Sequence, residues 1–314
     1  MSGGPPGGER VRTVFLGSGS FGAPALRRLA CHPSIEIVGV VTAPERPAGR
    51  RQAPTATPIG ALAEDLGLGP ILVPVRLRAT EAIEVVLALG PALAVLVDYG
   101  QIVPSRLLDL QHGALNLHPS ALPRWRGASP IPAAILAGDT MTAVTLMLMD
   151  AGLDTGPVVA QESVVLAGDE TAPELETRLA GLAADLLARS LDAWLTGELD
   201  ARPQATDGVT VTRPLRREDG RLDPLLGAEV LERQVRAYLP WPGTFLEVDG
   251  DRLVITAASV APSEREDVVG RLVRHGDCPA LVTAAGRLVL DDVTPPGKRP
   301  MSGADYLRGR RAPA

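Results

Sequence analysis

Residues 14–22 read VFLGSGSFG, and this stretch decides the fold of the first part of the chain. Its three glycines, Gly17, Gly19 and Gly22, have the spacing G-x-G-x-x-G. An apolar run typical of a strand precedes them, and the helix-like segment APALRRLA follows. A dinucleotide pyrophosphate binds at a helix N-terminus in this context. The stretch therefore predicts a Rossmann-like start and raises the hypothesis of a nicotinamide- or flavin-dependent oxidoreductase.

Apolar strands and helical segments alternate from this stretch to residue 197. The predicted strands are almost continuously apolar, as in IEIVGVVT (35–42) and GALNLH (113–118), which is typical of a parallel sheet covered on both faces. We predict a loop for the Pro-, Gly- and Arg-rich residues 43–58, and a long amphipathic helix with an N-terminal cap signal for 171–197. The predicted fold class is α/β, with a doubly wound, Rossmann-like domain and a mostly parallel sheet.

The sequence changes in character after residue 197. Residues 198–222 are polar and have no helical period, and one helix and several short strands separated by turns follow. Short strands at this spacing predict a small, OB-like β-barrel. We therefore divide the chain into a flexible N-terminus (1–10), a first domain (11–197), a linker (198–213) and a C-terminal β-barrel domain (214–314).

Composition limits the class of protein. The 314 residues carry a net charge of −6, so a globally basic nucleic-acid binder is not indicated, although a local basic patch remains open. The two cysteines, Cys31 and Cys278, are far apart and form no C-x-x-C motif, so neither a disulfide framework nor a zinc site is predicted. No signal-like or membrane-length apolar run is present, and we expect a cytoplasmic monomer.

The stretch LNLHPSALPRWRG (115–127) holds the first candidate catalytic residues. Asn116 and His118 are two positions apart at a predicted strand end, which places both side chains on one face of the sheet. Sites in open α/β sheets form at the carboxyl ends of strands. An amide donor beside an imidazole suits oxyanion stabilisation and proton transfer. The alternative is that a histidine at a strand end has a structural role.

A second stretch, VTLMLMDAGLDTGPVVAQ (144–161), supplies a carboxylate. Two predicted strands flank a loop that contains Asp150 and Asp154. A carboxylate on this loop could orient His118 and raise its pKa. The alternative is that both aspartates cap turns, which fits Asp150 better than Asp154.

Together, the two stretches resemble the formyltransferases that use 10-formyltetrahydrofolate. The resemblance implies that the family's catalytic asparagine, histidine and aspartate correspond to Asn116, His118 and Asp154. It also implies folate contacts from two segments, SALP (120–123) and the loop in VLVDYGQIVP (95–104). These segments contain the expected folate-binding residues Ser120, Ala121, Leu122, Pro123, Tyr99, Gly100 and Ile102. Two positions depart from the family's pattern: Ala121 replaces a leucine, and Asp98 replaces a small apolar residue.

Further segments resemble the methionyl-tRNA formyltransferases within that family. They are VVTAPERPAGRR (40–51), PRWRGASPI (123–131), RAYLPWPGTFLEVDGDRLVI (236–255) and TPPGKRPMSGADYLRGRR (294–311). The resemblance implies formyl transfer from 10-formyltetrahydrofolate to the α-amino group of methionyl initiator tRNA, for translation initiation. It implies a catalytic first domain and a tRNA-binding C-terminal domain, with no metal and no NAD.

An acidic protein needs local basic groups to hold tRNA. The resemblance implies that the loop with Arg46, Arg50 and Arg51 reaches the acceptor stem, while Arg124 and Arg126 lie nearer the active site. C-terminal candidates for phosphate contacts are Arg213, Arg216, Arg217, Arg233, Arg236, Lys298 and Arg299. The alternative for the basic loop is a solvated connector. The alternatives for the whole protein are a catalytically inactive RNA-binding protein, a formyltransferase for sugar-nucleotide amines, and an oxidoreductase. Against the last, IEIVGVVT ends without the acid that would bind a ribose.

Overall fold

The fold is described from a computed structural model that covers residues 9–48 and 53–309. Most of the predicted flexible N-terminus, residues 1–8, lies outside the described residues. The chain forms two compact units. The first combines the described parts of Met1–Ala128 with Met141–Val164 and Glu176–Thr212. The second combines Ser129–Thr140 and Val165–Leu175 with the described part of Arg213–Ala314.

The strands and helices up to residue 212 are as follows. The strands are β1 (Val11–Gly17), β2 (Ile35–Val41), β3 (Arg46–Ala48), β4 (Ala53–Thr55), β5 (Ile71–Leu72), β6 (Leu93–Val97), β7 (Ala114–His118), β8 (Arg126–Gly127), β9 (Met141–Leu148), β10 (Val158–Val165) and β11 (Val211–Thr212). The helices are α1 (Ala23–Ala30), α2 (Pro58–Asp65), α3 (Thr80–Ala88), α4 (Ser105–Leu108), α5 (Pro130–Ala137) and α6 (Ala172–Leu195).

The first unit is built on a sheet with the strand order β10-β9-β7-β6-β1-β2-β5. Strands β5, β2, β1, β6 and β7 pair in parallel, and β9 joins β7 in the antiparallel direction. Every residue of β6 is buried, as the apolar run predicts for a strand covered on both faces. The predicted Rossmann-like domain with a mostly parallel sheet is confirmed.

The glycine-rich stretch forms the tight turn between β1 and α1. The backbone N–H groups of Ser18 and Gly19 donate to the carbonyl oxygen of Asp98, at 3.0 and 3.4 Å. A Cβ at Gly17 would lie 2.8 Å from the carbonyl oxygen of Val97, so this position has no room for a side chain. The spacing of these glycines therefore serves the close approach of β1 to β6.

Two local predictions are corrected. The predicted loop 43–58 contains β3 and β4, which pair in the antiparallel direction from Arg46–Thr55 to Ala48–Ala53. Prolines normally argue against a strand, but they are tolerated in edge strands. Both strands of this two-stranded ribbon are edge strands. Helix α5 was not predicted because its sequence begins Pro-Ile-Pro. Proline is nevertheless compatible with the first turn of a helix, where the missing N–H has no intrahelical partner.

The second unit confirms the predicted small β domain as a curled antiparallel half-barrel. Its strands are β12 (Thr244–Val248), β13 (Asp251–Ala261), β14 (Leu272–His275), β15 (Cys278–Val282), β16 (Arg287–Thr294) and β17 (Met301–Ser302), with helices α7 (Ala228–Ala237) and α8 (Gly303–Gly309). They are ordered β12-β13-β16-β15-β14, and β17 pairs with β16. Leu231 and Val235 of α7 pack against buried residues of the sheet such as Ile255 and Leu288. Among the described helices, none is long and apolar enough to cross a membrane.

Candidate active site

Asn116 and His118 lie at the carboxyl end of β7, which pairs with β6 on one side and with β9 on the other. Asn116 is opposite Leu96 on β6, and His118 is opposite Thr145 on β9. Because alternate residues of a strand share a face, both side chains point the same way. The His118 side chain is buried, whereas Asn116 is half-buried. Within residues 9–48 and 53–309, no hydrogen bond is formed by the Asn116 amide.

His118 contacts one group through each ring nitrogen. Nε2 is 2.9 Å from the carbonyl oxygen of Trp125, and Nδ1 is 3.7 Å from Oδ2 of Asp154. A carbonyl oxygen only accepts, so Nε2 carries the hydrogen and donates it. In the neutral imidazole, Nδ1 therefore holds the lone pair and faces Asp154.

Burial lowers the pKa of His118 below its ordinary value of 6.5, against the weaker raising effects of Asp154 and the Trp125 carbonyl. The expectation that the Asp154 carboxylate raises the His118 pKa is confirmed for that contribution, and burial is the larger effect. A buried imidazole loses hydration of its charged form, and one carboxylate at 3.7 Å does not replace it. Burial therefore favours the neutral form of the imidazole.

Asp154 lies in the loop between β9 and β10 with a left-handed backbone, φ 51°. Its Oδ2 accepts a 2.7 Å hydrogen bond from the backbone N–H of Gly127. At Gly156, a Cβ would lie 1.9 Å from the carbonyl oxygen of Leu148, so the loop can close here only around glycine. Asp150 instead accepts from Gly152 N–H and the Thr155 hydroxyl, which is the turn-capping role left open for it.

Segment 120–123 is held in shape by buried and part-buried hydrogen bonds that the sequence did not predict. The Thr145 hydroxyl donates to the carbonyl oxygen of Ser120 at 2.6 Å. Gln161 Nε2 donates to that hydroxyl at 2.7 Å and to the Leu122 carbonyl at 3.2 Å. Ser120 is fully buried, and its own hydroxyl donates to the Arg124 carbonyl at 2.6 Å. The available signal was a threonine inside the apolar run of β9.

The other predicted folate segment follows β6. Tyr99 is buried in the core beside the sheet, and its hydroxyl has no hydrogen-bond partner among the described residues. Burial raises the pKa of Tyr99 to about 12. Gly100 is exposed with φ 74°, and the Ile102 side chain is 73% exposed. The structure thus separates these residues between core and surface.

Asp98 covers the glycine-rich turn. A Cβ at Gly19 would lie 1.6 Å from Oδ2 of Asp98, so the carboxylate occupies the space beside that glycine. Desolvation, followed by the nearby charge of Glu176, raises the pKa of Asp98. Glu176 accepts a 2.7 Å hydrogen bond from the Ser20 hydroxyl. The carboxylates of Asp98 and Glu176 therefore lie beside the turn at which a dinucleotide-binding motif would hold phosphate.

The predicted tRNA-contacting arginines have different surroundings. The Arg124 guanidinium lies 4.2 Å from the centre of the Trp125 ring, and Arg126 donates to Oε1 of Gln204 at 3.0 and 2.7 Å. Arg46 belongs to β3, while Arg50 and Arg51 lie outside the described residues.

The C-terminal candidates divide into engaged and exposed groups. Arg213 bonds Asp219 through two nitrogens, at 2.7 and 2.6 Å, which lowers the pKa of Asp219 to about 2. Arg236 pairs with Glu232 at 2.6 Å. Arg233 donates to the Leu136 carbonyl at 3.1 Å. The exposed remainder of the predicted phosphate-binding set is Arg216, Arg217, Lys298 and Arg299.

The described residues of the site offer hydrogen-bonding and acid–base groups. In the part of the chain that the structure describes, no group of three or more His, Cys, Asp or Glu side chains could hold a metal ion. Asn116 offers an amide donor, His118 a lone pair, and Asp154 a negative charge beside it. Together these groups can stabilise an oxyanion and take up a proton.

Two solved structures illustrate the similarity of the fold. The N-formyltransferase of Helicobacter canadensis, in complex with folinic acid and dTDP-3-aminofucose, has a TM-score of 0.64 and 12% identity, over 89% of this chain and 98% of that one. HypX of Aquifex aeolicus, in complex with tetrahydrofolic acid, has a TM-score of 0.62 and 17% identity, over 95% of this chain and 47% of that one. At these identities, the likeness concerns the fold.

Sequence comparisons are more specific. The methionyl-tRNA formyltransferase of Chloroflexus aggregans is 42% identical over 307 residues, which cover 96% of this chain and 98% of the relative. That of Halorhodospira halophila is 44% identical over 96% of this chain and 97% of the relative. A family model described as formyl transferase matches residues 11–191, and one described as formyl transferase, C-terminal domain, matches 214–311. The chain therefore belongs to the formyl transferase family.

Proposed function

We propose that this protein transfers the formyl group of 10-formyltetrahydrofolate to the α-amino group of methionyl initiator tRNA, for translation initiation. One observation carries the proposal: Asn116, His118 and Asp154 converge at the carboxyl edge of the sheet. The chain that holds them matches methionyl-tRNA formyltransferases over 96% of its length.

The folate donor is proposed to bind along segment 120–123 and the loop that contains Tyr99, Gly100 and Ile102. The support is the hydrogen bonding of the first segment, since its Ser120 and Leu122 carbonyl oxygens accept from Thr145 and Gln161. A segment held in this way loses less conformational entropy when it binds a ligand.

The reaction requires the neutral amine of the methionyl group to attack the formyl carbon. A C–N bond forms while the carbonyl electrons move to oxygen, and the Asn116 amide would donate a hydrogen bond to that oxyanion. The amine must lose a proton, and Nδ1 of His118 is the group with a lone pair to take it. Asp154 would stabilise the imidazolium as it forms. The bond to the folate nitrogen then breaks, and that nitrogen gains a proton.

Residues 11–197 are proposed as the catalytic domain, 198–213 as its connection, and 214–314 as the tRNA-binding domain. The two family models support this division, since one ends at residue 191 and the other begins at 214. Phosphate contacts are proposed for Arg46, Arg50, Arg51, Arg124 and Arg126. We propose a cytoplasmic location, because the substrates of translation initiation are cytoplasmic. We further propose a monomer, which analytical ultracentrifugation tests.

The test compares acceptors. Purified protein and 10-formyltetrahydrofolate are incubated with charged initiator tRNA, charged elongator methionine tRNA, or a dTDP-amino sugar. Formyl transfer is followed by mass spectrometry of the product. We expect rapid formylation of the initiator tRNA and much slower transfer to the other two acceptors. Preferential formylation of the amino sugar would contradict the proposal and support a sugar-nucleotide formyltransferase instead.

A further inference from the structure

Residues 202–212, most of the predicted linker, form a strap against the loops of the candidate active site. The backbone of Arg202 pairs with that of Val158 at the start of β10, at 2.7 and 2.8 Å. Thr210 then accepts hydrogen bonds from the backbone N–H groups of Trp125 and Arg126, at 2.8 and 2.9 Å. Strand β11, at the end of the strap, pairs in parallel with β8. The strap is thus part of the catalytic unit.

Gln204 is the residue of the strap that reaches the catalytic loop, which connects β9 to β10 and contains Asp154. Its Nε2 donates to the carbonyl oxygens of Asp154 and Gly156, at 2.8 and 2.7 Å. Its Oε1 accepts from Nε and Nη2 of Arg126, at 3.0 and 2.7 Å. Carbonyl oxygens only accept and guanidinium nitrogens only donate, so this amide has one allowed orientation. Both hydrogens of the Gln204 amide nitrogen are donated to the catalytic loop.

The side chain of Asp154 is held by β8, which pairs with the end of the same strap. The Asp154 carboxylate accepts from the N–H of Gly127. Gly127 is in β8, paired with Thr212 of β11, and a Cβ at Gly127 would lie 2.2 Å from the Thr212 carbonyl oxygen. The backbone of Asp154 is therefore fixed by Gln204, and its carboxylate by a strand that the strap supports. This matters because Asp154 has a left-handed backbone, which is unfavourable for a residue other than glycine.

We infer that Gln204 is a positioning residue, which holds Asp154 beside His118 through the carbonyl oxygens of Asp154 and Gly156. The expected kinetic consequence rests on the proposed function. The geometry that the inference explains is independent of that function. Without the Gln204 amide, the catalytic loop loses two hydrogen bonds that oppose the strain at Asp154. The carboxylate would then move away from Nδ1 of His118.

Two variants separate this role from general support of the strap. Gln204→Ala removes both halves of the amide. Gln204→Glu keeps an oxygen for Arg126 and adds a favourable charge, but it places carboxylate oxygen against two carbonyl oxygens. If only the contact with Arg126 mattered, the glutamate variant would behave like the parent. Thr206→Ala, an exposed position on the same strap, is the matched control.

The first readout does not need activity. The His118 imidazole is titrated by NMR in the folate-free protein, its signal being assigned with His118→Gln. Asp154 is the charged group whose effect on this imidazole the structure resolves, and it raises the pKa. We expect Gln204→Ala to lower the His118 pKa further, in the same direction as Asp154→Asn. Thr206→Ala should leave it unchanged. An unchanged His118 titration in Gln204→Ala would overturn the inference.

The second readout is kinetic, with formyl transfer to charged initiator tRNA. Misplacement of a catalytic group by about 1 Å can cost about a hundred-fold, so we expect Gln204→Ala and Gln204→Glu to lower kcat about ten- to a hundred-fold with little change in KM for tRNA. In the Asp154→Asn background, Gln204→Ala should have little further effect. A full additional loss there would overturn the inference. If the parent transferred no formyl group, the proposed function would fail, whereas the NMR titration would still test Gln204.

Discussion

The Nδ1 atom of His118 lies 3.7 Å from Oδ2 of Asp154, on a histidine whose other nitrogen is bound to the Trp125 carbonyl. His118 is buried and Asp154 is partly buried, and the net effect on the imidazole is a lowered pKa. A neutral histidine beside a carboxylate is ready to accept a proton and to be stabilised once it has done so. This relationship and the residues that support it determine how the protein should respond to pH and to substitution.

The first prediction concerns stability and pH. The pKa of His118 is lower in the folded protein than its ordinary 6.5, so below that pH the unfolded chain binds the proton more readily. The free energy of unfolding should therefore fall as the pH drops through 6.5 towards the folded value. Above 6.5, this group adds no further pH dependence. Urea unfolding at about pH 7.5 and about pH 5.5 measures the difference. His118→Gln cannot take up a proton and should lose less stability between these pH values; an equal loss would contradict the assignment.

The second prediction concerns the glycine-rich turn. Gly17→Ala places a Cβ 2.8 Å from the Val97 carbonyl oxygen, so the paired strands must shift, and we expect a loss of about 1–3 kcal/mol. The control is Gly181→Ala, where no atom lies within 4 Å and helix α6 should gain about 0.5–1 kcal/mol. Thermal unfolding compares the two variants. Equal melting temperatures would show that the turn tolerates a side chain.

The third prediction concerns the buried hydroxyl of Thr145. Thr145→Val keeps the shape but leaves the Ser120 carbonyl without this donor and Gln161 without this acceptor. An unsatisfied buried polar group costs about 1–3 kcal/mol. Because these hydrogen bonds shape segment 120–123, KM for the folate donor should rise more than kcat falls. Thr142→Val, also buried on β9, is the control. An unchanged KM in Thr145→Val would argue against a folate-binding role for the segment.

The fourth prediction concerns how a protein of net charge −6 binds tRNA. Replacing Arg46, Arg50 and Arg51 by alanine should weaken tRNA binding. It should also flatten the slope of log affinity against log salt by somewhat under about one unit for each phosphate that is no longer neutralised. The control triple variant replaces Arg28, Arg106 and Arg189, which form ion pairs with acidic side chains in this structure. Filter binding at several salt concentrations measures both slopes. Equal slopes for the two triple variants would show that residues 43–58 are only a solvated connection.

The sequence predicts the sheet well because its central strands are mostly buried and therefore appear in the sequence as apolar runs. The family model confirms the resemblance that rests on Asn116, His118 and Asp154. The parts that were missed depend on long-range interactions. Gln204 lies 50 residues from the Asp154 carbonyl that it binds, in a polar segment with no periodicity. The direction of the His118 pKa also depends on burial, which no local motif reveals.

The most direct test of the proposed mechanism is the single-turnover rate of formyl transfer by Asn116→Ala, with the affinity for charged initiator tRNA measured in parallel. The central claim is that Asn116 stabilises the oxyanion beside His118. Loss of one such donor typically costs about a hundred- to a thousand-fold. We expect a rate lower by about that factor with tRNA affinity unchanged. A rate within about threefold of the parent, at equal tRNA affinity, would contradict the claim, because no oxyanion donor of this kind is worth so little.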